Sequence, residues 1–108
     1  MDSITLEDFK KIEIRIGKIT KCEKVPDTDK LLKLQVDFGD FQRQIISGIA
    51  ETFEPEELIG KKLPFIVNLE YRKFKGEESQ GMLMAIDSDG KTVLLESSQD
   101  VASGTLIV

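Results

Sequence analysis

The chain has 108 residues, a net charge of −5, one cysteine and no histidine. Its 40% apolar and 32% charged content fits one globular domain over residues 1–108 with a single core, and no apolar run nears the roughly 20 residues that cross a bilayer. The missing histidine and second cysteine exclude the usual zinc sites, an internal disulfide and a Ser-His or Cys-His nucleophile pair.

Thr5-Leu6-Glu7-Asp8 reads as a capping box, with the Thr5 hydroxyl capping free amides and Asp8 reaching back. Phe9 and Ile12 fall on one face of the short helix that follows. Ile14, Ile16 and Ile19 start a strand, with Arg15 and Lys18 exposed and a bulge or bend at Gly17. Cys22 sits in or beside that strand as a small apolar residue. Val25-Pro26-Asp27-Thr28-Asp29-Lys30 is a loop. Leu32, Leu34, Val36 and Phe38 alternate with polar residues in a half-buried strand. Gly39-Asp40 turns it into Phe41–Ser47, a hairpin partner. Pro55 marks a first helical position, glutamates fill the first turn and Gly60 closes a short helix. Leu63–Leu69 and Ser79–Ile86 are strands joined by a cationic loop. Asp87-Ser88-Asp89-Gly90 is a turn, followed by a strand at Thr92–Leu95 and a last segment at Thr105–Val108.

Short strands separated by turns, with a helix in their middle, are laid out as in an all-β OB-fold. That is a five-stranded Greek-key barrel with a helix between its third and fourth strands. An SH3-like barrel or split sandwich gives similar spacing. The segments beyond Ile86 exceed a minimal barrel; they would close one end or present a face to a second copy.

Catalytic chemistry finds no foothold. Asp27 and Asp29 are explained by turn formation, and Asp87–Gly90 lacks the later bidentate glutamate of a calcium loop. No phosphate-cradling glycine loop is present, so neither a metal nor a cofactor is expected. Binding fares better. Residues 10–75 carry 14 of the 15 cations and 11 of the 20 anions, so an acidic total conceals a locally basic stretch. In an OB barrel the loop before the second strand and the loop between the fourth and fifth lie on one rim. Lys30 and the run Arg72-Lys73-Phe74-Lys75 would meet there, flanked by Lys33 and Arg43, as a cationic groove for phosphates. Asn68 suits a base edge, a phosphate or its own loop backbone. Tyr71 and Phe74 suit base stacking or anchoring of the loop. Ser79 and Gly81 suit close approach of a sugar-phosphate, and Met82 either a base face or the core. With 6% aromatics and no tryptophan, stacking along a single strand is thinly supported. A folded RNA read by shape fits better.

Several short motifs occur in order: Asp8-Phe9, Ile14-Arg15-Ile16-Gly17-Lys18-Ile19, Asp29-Lys30-Leu31, Val36-Asp37-Phe38-Gly39, Ser47-Gly48-Ile49, Pro55–Lys61, Asn68-Leu69, Arg72-Lys73 with Gly76, and Ser79-x-Gly81-Met82. With these the chain resembles the tRNA-binding domain family, which includes the C-terminal domain and beta subunit of methionyl-tRNA synthetase and free-standing tRNA-binding proteins. The resemblance runs from about Leu6 to Ile86. It implies an OB-fold with C-terminal additions, usually a homodimer, that binds tRNA by shape. It implies tRNA contacts at Lys30, Lys33, Asn68, Arg72, Ser79 and Met82, supported by Arg43 and Lys73. It points to a non-catalytic module serving a synthetase catalytic subunit, either as a separate polypeptide or as an appended domain, and the lone Cys22 fits a cytoplasmic setting. Where the family often has Asn-Leu-x-Pro-Arg-Lys, this chain has Glu70-Tyr71 before Arg72. That change loosens the approach and adds a negative charge. Peptide-binding export chaperones of the CsaA type share the fold and form the alternative reading.

Overall fold

An 11-residue strand, β1 (Ile14–Lys24), is the axis on which the rest of the fold is wound. The computed structural model describes residues 1–108. The first half of β1 pairs antiparallel with β4 (Lys62–Ile66), from Ile14 opposite Ile66 to Lys18 opposite Lys62. Its second half pairs with β2 (Leu32–Asp37), from Lys18 opposite Asp37 to Lys24 opposite Leu32. One strand thus serves two neighbours, and it must coil to do so. The register shift that relieves this coiling falls between Ile19 and Lys21, not at Gly17. Gly17 has a different task. A Cβ there would stand 2.5 Å from Val36 Cγ1 and 2.6 Å from Phe38 Cε1, so only glycine lets β1 pass this close to the core.

The β2 burial pattern alternates strictly, which is the period-two signal of its sequence made physical. β3 (Gln42–Ser47) pairs with β2 from Leu32 opposite Ser47 to Asp37 opposite Gln42. The inward side chains form a 12-residue cluster that includes Ile19, Leu34, Val36, Phe38, Ile45, Leu63, Phe65 and Leu83. Phe38 meets Phe65 edge-on at 5.6 Å and stacks on Phe41 at 5.1 Å.

Two single-turn helices flank this core. In α1 (Leu6–Phe9) the Thr5 hydroxyl accepts from the Asp8 N–H at 3.0 Å. Asp8 does not reach back; its carboxylate pairs with Lys11 at 3.0 Å instead. In α2 (Pro55–Leu58) the Glu57 carboxylate accepts from the Glu54 N–H at 2.9 Å, and fully buried Leu58 plugs the barrel floor.

The predicted loop after Leu69 and the predicted strand Ser79–Ile86 come out differently. Residues 72–79 form a hairpin of β5 (Arg72–Phe74) and β6 (Glu77–Ser79). Its two-residue turn, Lys75-Gly76, has φ of 53° and 81°, the pair of positive values that a type I′ hairpin turn requires. The expected long strand is broken because the Ser79 hydroxyl donates to the Gly81 carbonyl at 2.9 Å and turns the chain. It resumes as β7 (Met82–Leu83), paired with β4, and then as β8 (Ala85–Ser88), paired with β9 (Lys91–Leu94). β10 (Leu106–Ile107) returns to the start of β1. The product is a nearly closed, antiparallel OB-type barrel with C-terminal strand additions. Residues 95–105 cross the β1–β4 edge under two ion pairs, Lys61 to Glu96 at 3.3 Å and Lys62 to Asp100 at 2.9 Å. Lys62 holds the Asp100 carboxyl below the usual carboxylate range. No helix is long and apolar enough to cross a membrane.

Candidate nucleic-acid interface

The outer edge of β3 needs partners for its main-chain groups, and the hairpin region supplies them mostly with side chains. The Gln44 N–H donates to Gln80 Oε1 at 2.9 Å, and the buried Ile46 N–H donates to Ser79 Oγ at 2.9 Å. A single main-chain bond, Gln80 N–H to Gln44 O at 2.7 Å, joins them. Gln44 Nε2 adds a bond to the Glu78 carbonyl at 2.9 Å. The barrel therefore closes through polar side chains, not through a ladder.

This closure sets the cations. Arg72 lies opposite Ser79 in the hairpin, and Ser79 is bonded to Ile46 near the end of β3. On the other side of β3, β2 begins opposite Ser47, and the Lys30 carbonyl accepts from the Ala50 N–H at 3.0 Å. The loop bearing Lys30 and the hairpin bearing Arg72 thus flank the same end of one strand. Lys30, Arg72, Lys73 and Lys75 are exposed and form no ion pair. The Arg72 guanidinium lies over the Phe74 ring at 4.9 Å, which stiffens it without spending its charge. Beside it a recess of about 60 Å³ is lined by Ile46, Leu69, Glu70, Arg72, Phe74, Ser79, Gly81 and Met82. Met82 is 46% exposed at its lip, and Glu70 places a carboxylate in the lining.

The other expected site residues are engaged within the chain. Lys33 Nζ sits between Glu77 at 2.9 Å and Glu23 at 3.1 Å, and the hydrogen bonds to these carboxylates, Glu77 first, raise its pKa above the ordinary lysine value. The Arg43 guanidinium donates to the Val67 carbonyl at 3.2 Å, the Tyr71 hydroxyl at 3.1 Å and the Gln80 carbonyl at 3.4 Å, and it lies over the rings of Phe41 and Tyr71. Asn68 accepts from the Glu13 N–H at 2.8 Å and donates to the Lys11 carbonyl at 2.6 Å, tying the N-terminal segment to the end of β4. The Ser79 hydroxyl both accepts and donates inside the chain, from the Ile46 N–H and to the Gly81 carbonyl. Gln44, Gln80, Glu77 and Glu23 play parts that the sequence did not signal, because polar residues on a strand or in a turn look solvent-facing until a partner is known. Burial pushes the Cys22 thiol up to about 11, which keeps it protonated near neutrality. No group of three or more His, Cys, Asp or Glu side chains could hold a metal ion.

Residues 14–106 match the family model for the "Putative tRNA binding domain". The methionine–tRNA ligase of Archaeoglobus fulgidus is 51% identical over 106 residues, which is 98% of this chain and 16% of that protein. The ligase of Caldanaerobacter subterraneus is 47% identical over 107 residues, 99% of this chain and 17% of that protein. This chain therefore spans about a sixth of the length of these relatives. Among solved structures, a MetRS related protein from Pyrococcus horikoshii superposes with a TM-score of 0.94 at 42% identity, covering 100% of both chains. The chaperone CsaA from Bacillus anthracis superposes with a TM-score of 0.89 at 28% identity, covering 99% of this chain and 100% of that one. An OB-type barrel matched by the family model over nearly its whole length, with unpaired cations on both flanks of one strand end, belongs to the tRNA-binding domain family.

Proposed function

We propose that this module grips the folded body of tRNA through the cations flanking the end of β3, and that it does so on behalf of a methionyl-tRNA synthetase. The observation that carries this reading is the set Lys30, Arg72, Lys73 and Lys75, exposed and unpaired on two segments that flank one strand end. Such a surface attracts phosphates by counterion release and reads no base sequence. The methionine–tRNA ligases of A. fulgidus and C. subterraneus support the choice of synthetase. In this reading the module works in the cytoplasm, as an appended domain or as a beta subunit. A homodimer completes the reading. An apolar groove of about 420 Å³, lined by Ile14, Ile16, Pro64, Met84, Leu95 and Ile107 among others, gives a second copy a face to cover. Two copies would double the cationic surface and raise avidity. The same groove and the likeness to CsaA favour the alternative occupant, an unfolded polypeptide.

Titration with tRNA, a linear RNA of equal length and an unfolded polypeptide, each at several salt concentrations, separates these readings. A tRNA module prefers the folded RNA and weakens as salt rises. Equal affinity for linear RNA or a preference for peptide overturns the proposal. Arg72→Ala should weaken tRNA binding and lower the salt slope by about one, with the oligomeric state by light scattering unchanged.

A further inference from the structure

The hairpin carrying Arg72 and Lys73 is a two-stranded element with a two-residue turn. Such a unit is marginally stable alone in water, so its place on the barrel must be imposed from outside. Apart from the Gln80–Gln44 main-chain bond and the Ser79 and glutamine contacts along β3, two cations hold it. Lys33, on β2, reaches Glu77 on the hairpin and Glu23 on β1, with its side chain only 22% exposed. Arg43, on β3, spans the Val67 carbonyl before the hairpin, Tyr71 at its entrance and the Gln80 carbonyl at its exit.

Resting on the tRNA-binding reading, we infer that Arg43 and Lys33 are positioning residues: they clasp the β5–β6 hairpin to the barrel so that Arg72 and Lys73 face the RNA, and they contact no phosphate themselves. The Lys33 charge is balanced by two carboxylates, and the Arg43 guanidinium is fixed by neutral oxygens and aromatic rings. A phosphate recruited to Lys33 would have to displace two carboxylates. One recruited to Arg43 would have to dislodge a guanidinium held by three oxygens and two rings. The planar group matters as much as the charge: all three acceptors converge on Nη1 while the flat guanidinium lies over the Phe41 and Tyr71 rings, and an ammonium has no flat face with which to stack.

The test uses Arg43→Met, Arg43→Lys and Lys33→Met in the intact protein, with Arg72→Ala for reference. Three quantities are read: tRNA affinity against salt, amide exchange over residues 71–80, and the melting temperature. Each of the three variants should lose on the order of 3- to 10-fold in tRNA affinity and exchange faster in the hairpin, while its salt slope stays near that of the parent. Arg43→Lys should fail as badly as Arg43→Met although it keeps the charge. The reference variant should show the reverse pattern, a slope reduced by about one and unaltered exchange. A slope reduced by about one in Arg43→Met or Lys33→Met, or full affinity in Arg43→Lys, overturns the inference and makes these residues phosphate contacts. Unchanged hairpin exchange also overturns it, whether or not the parent binds tRNA. Failure of the parent to bind tRNA strikes the functional reading alone, since the exchange measurement still tests the clasp. If a variant melts too early for comparison, Tyr71→Phe removes one acceptor of Arg43 and leaves both rings. It should speed hairpin exchange with no change in salt slope, and no change in exchange counts against the clasp.

Discussion

The wall formed by β1, β2, β3 and β4 and the hairpin formed by β5 and β6 are both antiparallel sheets, but they are held by different forces. Main-chain ladders join the wall strand to strand, and its inward face is the apolar cluster. The hairpin contributes only buried Ser79 to the interior and docks through amides, a hydroxyl and two cations. The wall supplies stability, since burying a large apolar side chain gives roughly 1.5–3 kcal/mol. The hairpin supplies placement, through bonds each worth about 0.5–1.5 kcal/mol net. Three of the four exposed cations that form no ion pair on the flanks of β3, Arg72, Lys73 and Lys75, sit on the more weakly held part.

The largest effect should come from the wall. Phe65 is fully buried against Phe38, and Phe65→Ala should cost about 3–5 kcal/mol in denaturant unfolding. A loss below about 1 kcal/mol would mean that the wall repacks, and the contrast with the hairpin would fade. Next comes the seam. Ser79→Ala leaves the buried Ile46 N–H without its acceptor and should cost about 1–3 kcal/mol. Undiminished stability with lost tRNA binding would show instead that the hydroxyl faces the RNA. The smallest effect should be at Asn68, which serves the wall and not the hairpin. Asn68→Ala removes two bonds to the N-terminal segment and should cost about 1 kcal/mol. Its tRNA affinity should stay within twofold of the parent in filter binding, about 0.4 kcal/mol; a larger loss would move Asn68 into the interface.

The wall was legible because its code is local. Alternation in Leu32–Phe38, the Gly39-Asp40 turn and the Pro55 helix start are each fixed by near neighbours, and each appears where the sequence puts it. The hairpin was not legible as a hairpin. Its strands are three residues each and mostly polar, so no period is visible, and Lys75 adopts a positive φ that its identity does not advertise. Among the candidate binding residues, Lys30, Arg72, Lys73 and Met82 are left with exposed side chains, while Lys33, Arg43, Asn68 and Ser79 are bonded within the chain. Nothing in a list of cations says which ones already have an anion.

Short strands, two helix starts and the stretch where positive charge gathers can be read from residue order alone, because hydrophobic period and turn chemistry act over a few residues. Which charges stay available is a matter of long-range contacts. Lys33 meets Glu77 across 44 positions of chain and Arg43 meets Gln80 across 37, and the strength of a charge in solution depends on neighbours that folding alone brings within about 3 Å.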